Sequence, residues 1–308
     1  MGGLLANSTR AWLKEAQDLP DYSAFDMLHG YIYSRWPYFY ISMAVGTHPM
    51  AKRLAPMLEW AGNLITRQAG DGKEAGKSVK FEDTYHGKVV PPDAARQLVS
   101  VKEDIEFRNL EHILPYTRAR DLVMKNPDHI VALDCPCRLA REDPCLPLDV
   151  CLIIGEPFAS FMMEHQPNHS RWISSQEAQE ILKAEHERGH VHHAFFKDAM
   201  LGRFYAICNC CPCCCGAFQA QRSGTLMLCS SGYVAQVDES RCLACGTCAE
   251  ACPFDAIEVH EFAQVKFDTC MGCGVCVDQC NQEGIHLERA AEKGEPLELR
   301  SLIEADGI

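Results

Sequence analysis

The sequence has no surplus of basic residues: 29 Lys and Arg stand against 42 Asp and Glu, for a net charge of -13. A chain this acidic repels a phosphate backbone, so nucleic acid is not an expected partner. Long hydrophobic runs are also missing. The aromatic stretch from Tyr31 to Val45 is broken by Arg35 and Pro37 and is too short to span a bilayer. No basic segment followed by an apolar core opens the chain, so a cytoplasmic, reducing and anaerobic setting is expected. Signatures of nucleotide-dependent or hydrolytic enzymes are absent too. There is no dinucleotide fingerprint, no His-Glu-x-x-His and no Ser-His-Asp arrangement, and nothing suggests a bound nicotinamide or flavin. Gly76-Lys77-Ser78 does not make a phosphate loop, because Asp71 stands where the glycine five positions earlier belongs.

What the sequence has is cysteine, nineteen in 308 residues. A chain of this length, 47% hydrophobic, builds cored domains without staples, so the cysteines are not a scaffold for a small fold. Eight of them form the same pattern twice. Cys242, Cys245, Cys248 and Cys252 read C-x2-C-x2-C-x3-C, and Cys270, Cys273, Cys276 and Cys280 repeat it at an offset of 28 residues. Gly246 then falls on Gly274, Ile257 on Ile285 and Val259 on Leu287, which marks an internal duplication. Thiolate side chains are short, so three ligands to one cluster come from a tightly coiled loop and the fourth arrives from elsewhere. Zinc ribbons use two pairs rather than two equally spaced foursomes, and disulfides do not comfortably bridge cysteines two residues apart.

These motifs resemble the bacterial-type two-[4Fe-4S] ferredoxins, over about fifty residues near the C-terminus. The resemblance implies crossed ligation. One cluster would take Cys242, Cys245, Cys248 and Cys280, and the other Cys270, Cys273, Cys276 and Cys252. Pro253 follows the first run as in that family, whereas Asn281 replaces the second proline. This departure touches the exit of the chain from the loop more than ligation.

Eleven cysteines remain, and ten sit in two blocks: Cys135, Cys137, Cys145 and Cys151, then Cys208, Cys210, Cys211, Cys213, Cys214 and Cys215. Cys229 stands alone and reads as a small buried hydrophobe. Six cysteines in eight residues cannot all fill a core, because neighbouring side chains point in different directions. Metal binding is the economical reading: one or two additional iron-sulfur clusters, with zinc as the alternative for one block. The grouping of the ten is not readable from spacing. Cys214-Cys215-Gly216 weakly resembles the Cys-Cys-Gly of heterodisulfide-reductase-like proteins. The Cys-Pro-Cys and Cys-Asn-Cys-Cys segments ahead of the repeat are more similar to ferredoxin-like iron-sulfur proteins of anaerobes, a resemblance that implies no substrate. His190, His192 and His193 are candidate ligands or proton donors beside the extra cluster, set against a structural, hydrogen-bonded role; His165 and His169 carry a weaker version of that signal.

The fold class expected is α+β. Residues 1-80 read as a helical, aromatic-rich region, with Ser8 or Thr9 capping a helix to Gln17 and a second helix from Leu54 to Ile65. The aromatic run packs as a core or clasps a partner, the alternative being an interfacial membrane anchor beside Lys52 and Arg53. Gly70 to Lys80 reads as a connector. Residues 81-232 read as a cysteine-rich α/β domain. Within it, helices are expected from Pro91-Pro92-Asp93 through Leu98, at Pro115 to Lys125 and from a Ser174-Glu177 capping box to Arg188. Strands are expected at His129 to Asp134, Leu152 to Gly155, His190 to Phe196 and Arg203 to Ile207. Residues 233-290 read as the ferredoxin-like βαβ repeat holding two cubane clusters, and 291-308 as a tail. The function expected is single-electron relay to a redox protein partner that offers a basic docking patch, within an oligomer or larger complex if one forms. The alternative is a reductase with its site at the cluster or thiols of Cys208 to Cys215.

Overall fold

The computed structural model describes residues 5-51, 53 and 84-306. The helix expected at Leu54 to Ile65 and the connector expected at Gly70 to Lys80 lie outside them. Three helices open the chain: α1 (Asn7–Gln17), α2 (Ala24–Arg35) and α3 (Pro37–Ala44). The cap expected of Ser8 or Thr9 is corrected. Ala6 occupies the N-cap position without a side-chain bond, because both hydroxyls turn outward to the body of the protein: Ser8 bonds Glu164, and Thr9 Oγ1 lies 3.1 Å from His165 Nε2. α2 does begin in a reciprocal box, in which Ser23 Oγ accepts from the Asp26 amide and the Asp26 carboxylate accepts from the Ser23 amide. Pro37, which has no amide to donate, starts α3 at its first position.

The body follows as β1 (Tyr85–Val89), α4 (Pro92–Leu98), β2 (Ile105–Phe107), β3 (Leu122–Leu133), α5 (Pro136–Leu139), β4 (Cys151–Glu156), α6 (Phe158–His165), β5 (Ser170–Ile173), α7 (Ser175–Glu187), β6 (Val191–Lys197), β7 (Arg203–Cys210), α8 (Gly216–Arg222) and β8 (Leu228–Cys229). The strands form one sheet in the order β2-β3-β4-β7-β6-β1-β8, with β5 also pairing with β3. Helices and sheet together make the chain α+β. The α/β expectation for 81-232 is corrected, since every ladder of this sheet is antiparallel except β1 with β8. The helix expected at Pro115 to Lys125 is corrected as well: Leu122–Met124 pair with β2, and the turn before them holds Ala119 in the left-handed region. Pro127, which cannot donate to a ladder, falls where the β3–β4 register shifts between Lys125 and Ile130.

Alternate side chains go to opposite faces. Val131, Leu133, Ile153, Phe195 and Tyr205 join Trp12, Phe158 and Phe161 in a core under α1, α2 and α6. Ala132, Leu152, Ile154, Phe196 and Phe204 join Leu98, Leu114 and Leu182 in a second core under α4 and α7. The aromatic run of α2 and α3 lies over the first face. Tyr33 Oη is 2.9 Å from Tyr205 Oη, and Tyr31 packs edge-on against Phe161. Its outer side leaves Phe25, Leu28, Ile32, Trp36 and Phe39 exposed. Among the described residues no helix is long and apolar enough to cross a membrane.

The C-terminal segment contains β9 (Tyr233–Val237), α9 (Thr247–Glu250), β10 (Ile257–Val259), β11 (Ala263–Val265), α10 (Val275–Asp278) and β12 (Ile285–Arg289). Strand–helix–strand thus occurs twice, with β9 paired to β12 and β10 to β11, both antiparallel. The stretch expected as a tail folds back as α11 (Leu299–Asp306), burying Leu297, Leu299 and Leu302 in the second core.

Candidate metal centres

The 28-residue duplication is repeated in the backbone. Gly246 (φ 85°) and Gly274 (φ 84°) are the left-handed caps of α9 and α10. Asp255 and Glu283 share a positive φ, as do Ala244 and Gly272. Gly272 is required on steric grounds too, since a β-carbon there would lie 2.3 Å from Tyr233 O. The amide of Ala256 donates to Cys252 Sγ at 3.3 Å, and the equivalent amide of Gly284 donates to Cys280 Sγ at 3.4 Å. Asn281 leaves this exit unchanged, for the turn after it matches the one after Pro253.

Each run contributes its last cysteine to the cavity of the other. One cavity, with about 370 Å³ of space not filled by atoms, part of it open to solvent, is lined by Cys242, Cys245, Cys248 and Cys280. A second, of about 320 Å³, is lined by Cys252, Cys270, Cys273 and Cys276. The first is the outer one: Cys245 and its neighbour Leu243 are exposed. The second is interior, and burial pushes the thiol of Cys273 up to about 12. A thiol held neutral in this way must lose its proton to become a ligand, so loading releases protons. Apolar walls and amide donors aimed at sulfur suit a four-thiolate cluster in both cavities.

The ten other cysteines divide into two groups. β3 and β7 both run antiparallel to β4, so they end together where β4 begins. Cys135 follows β3, Cys151 starts β4, and Cys208 and Cys210 close β7. With Cys137 and Cys215 they line a cleft of about 520 Å³, a volume that includes space open to solvent, walled also by Tyr33, Tyr85, Phe195 and Asn209. The thiols make a chain of contacts: Cys208 with Cys151, Cys151 with Cys135, Cys135 with Cys137, Cys137 with Cys215, and Cys215 Sγ with Cys210 Sγ at 3.3 Å. The contact with Cys137, together with burial, holds the thiol of Cys135 up to about 12. Cys145, Cys211, Cys213 and Cys214 form the other group, their sulfurs all within 4.8 Å of one another. Cys211 and Cys214 also contribute to the wall of the six-thiol cavity. Cys229 belongs to neither group and packs against the second core.

The wall of the six-thiol cavity includes a charged residue that the sequence reading did not single out. Arg138 is fully buried and donates from Nη2 to Glu185 Oε2 at 2.5 Å and to Asn209 O at 3.1 Å. Burial works against its charge, but the Glu185 carboxylate holds its pKa above the usual value. Its position directly after Cys-Pro-Cys was the available signal. The three clustered histidines do not line the cavity. His190 Nδ1 is 2.7 Å from Glu185 Oε2, and His192 Nδ1 is 2.6 Å from Asn209 Oδ1, whose amide nitrogen bonds Val150 O. Burial lowers His192 and His193 to about 3, so both are neutral at ordinary pH. His165 and His169 are likewise spent on Thr9 and Asp134.

The duplicated segment packs directly on the sheet domain. Phe218 and Phe254 pack with their rings tilted by 32° and their centroids 4.9 Å apart, and Arg222 bonds the carbonyls of both Pro212 and Pro253. Ser231 Oγ donates to Gly272 O at 2.7 Å, and His186 Nε2 is 3.1 Å from Asp278 Oδ2.

Comparison with known families finds a 4Fe-4S binding domain at residues 235–258, the stretch that carries Cys242, Cys245, Cys248 and Cys252. No curated protein and no solved structure matches the chain. A 4Fe-4S binding domain and a separate cysteine cluster therefore occur in one chain, which suggests iron-sulfur binding and electron transfer.

Proposed function

We propose that this protein relays single electrons between two [4Fe-4S] clusters in the duplicated segment and a further iron-sulfur centre in the six-thiol cavity, and on to a partner oxidoreductase. The crossed thiol sets around the outer and inner cavities are the ligands in this reading. Bound there, the clusters supply one-electron oxidation and reduction. The chain's own residues supply the order of the centres, their insulation and amide bonds to sulfur.

The observation that carries the reading is the continuity of packing between the cavities. Cys135, Cys151, Cys210, Cys215, Phe218 and Cys273 belong to one buried core, against which Phe254 and Met271 pack. Phe254 lines the inner cavity and packs on the core that holds Cys210 and Cys215, so packed side chains run from that cavity to the six-thiol site. The outer cavity, with Cys245 and Leu243 exposed, is the natural point of exchange with a partner. A net charge of -13 favours a partner with a basic patch, with encounter that weakens as salt rises.

One observation favours a second reading, a reductase with its site at the cluster or thiols of Cys208 to Cys215. The third cavity is the largest of the three, and it holds six thiols where a cubane uses four. Iron and acid-labile sulfide counted in anaerobically prepared protein test the common part of both readings. About twelve irons with matching sulfide are expected, since the two ferredoxin-type sites account for about eight. A count of eight overturns the third centre.

A further inference from the structure

We infer that Cys145, Cys211, Cys213 and Cys214 are a separate site for a single zinc ion, distinct from the iron-sulfur centres and closing one wall of the six-thiol cavity. The argument is one of size. A zinc–thiolate bond is about 2.3 Å long, so four sulfurs at the corners of a tetrahedron around one ion lie about 3.8 Å from each other. Here all four sulfurs lie within 4.8 Å of one another, with Cys145 to Cys213 at 3.0 Å and Cys213 to Cys214 at 3.7 Å. A cubane places four irons and four sulfides between its terminal thiolates, which sit on its outer corners and cannot approach so closely. The protein carries its own comparison. Among the described residues no other group of three or more histidine, cysteine or acidic side chains draws its ligand atoms together within 4.8 Å, and both ferredoxin-type foursomes are wider.

The local chain is shaped to hold this set. Cys211, Cys213 and Cys214 come from one turn, closed by the Cys215 amide on Cys211 O at 3.1 Å. Cys145 comes from the loop between α5 and β4, 66 residues earlier than Cys211 in sequence. Arg141 on that loop donates from Nη2 to Cys214 O at 3.2 Å, binding loop to turn and placing a positive charge beside four thiolates. Four protein sulfurs leave no open position, which is the arrangement of a structural zinc site rather than a catalytic one. Cys211 and Cys214 face both sites, so the ion would fix the wall that carries Cys210 and Cys215. Nothing in this assignment requires the six-thiol centre, and it stands or falls separately from the relay.

The test is a count of zinc, iron and sulfide in the full chain and in a Cys145→Ser/Cys213→Ser variant, with Cys229→Ala as a control thiol outside both groups. The wild type and the control should carry one zinc per chain, and the double variant should lose it with iron and sulfide unchanged. Replacing zinc by cobalt in the wild type should give the visible spectrum of a tetrahedral thiolate site, absent from the variant. Should the variant fail to fold, a zinc chelator applied to wild-type protein should remove one zinc and no iron. The inference is overturned if the variant loses iron together with sulfide, if wild-type protein binds no zinc, or if Cys145 and Cys213 are found cross-linked in the anaerobic protein.

Discussion

Cys151 stands directly opposite Cys208 in the β4–β7 ladder. Directly paired residues point to the same face of a sheet, so the two thiols reach one cavity by register alone. Replacing both with serine keeps the shape and removes two ligands. The variant should fold, with iron falling from about twelve to about eight per chain while the two ferredoxin-type signals persist. Metal analysis with cryogenic spectroscopy checks this, and loss of a ferredoxin-type signal would contradict the division of the cysteines.

The crossing of the last cysteine in each run has its own test. Cys280 lines the cavity of Cys242, Cys245 and Cys248, so Cys280→Ala should damage that centre and spare the one facing Cys270, Cys273 and Cys276. Damage confined to the latter would reverse the assignment.

Phe218 is 2% exposed and packs against Phe254 across the join between the sheet and the duplicated segment. Truncating a buried phenylalanine to alanine costs about 3–5 kcal/mol. Phe218→Ala should lower the melting temperature and slow electron passage between the inner cluster and the six-thiol centre. An unchanged passage rate in folded variant would remove this contact from the route.

Lys197 supplies a pH dependence. Its ammonium lies 4.8 Å from the Tyr33 ring centre and 4.7 Å from that of Tyr85, and burial lowers it to about 8, with Asp198 pulling the other way. The unfolded lysine keeps its proton to a higher pH, so between the two values the unfolded state binds more protons. Stability from this residue is therefore present at high pH and is lost as pH falls to about 8. Lys197→Met should raise the urea midpoint at pH 7, by a gain of up to about 3 kcal/mol, and the gain should shrink towards pH 10. Equal gains at both values would show that the lysine carries no buried charge.

Much of this was legible in local sequence. The two foursomes, their duplication and the short helix that ends at Leu98 rest on spacing and proline placement that act over a few residues. The division of the ten remaining cysteines was not legible, because it depends on β3 and β7 ending together beside the start of β4, and on a loop that carries Cys145 to a turn far along the chain. Antiparallel order was hidden for a related reason: strands buried on both faces read as continuous apolar runs, whichever way they pair. Pro115 to Lys125 misled because Leu122–Lys125 carries no alternation strong enough to declare a strand before β2 is there to pair with it. Ser8 and Thr9 look like caps locally, but Glu164 and His165 compete for them from a distance.

The most direct test of the relay is a rapid one-electron reduction of the anaerobic wild-type protein, followed by freeze-quench spectroscopy at several protein concentrations. The expected result is early reduction of a ferredoxin-type cluster, then appearance of a distinct third signal at a rate independent of protein concentration, with that signal missing from the Cys151→Ser/Cys208→Ser variant. A third signal whose rate rises in proportion to concentration, or no third signal at all, would contradict transfer within one chain.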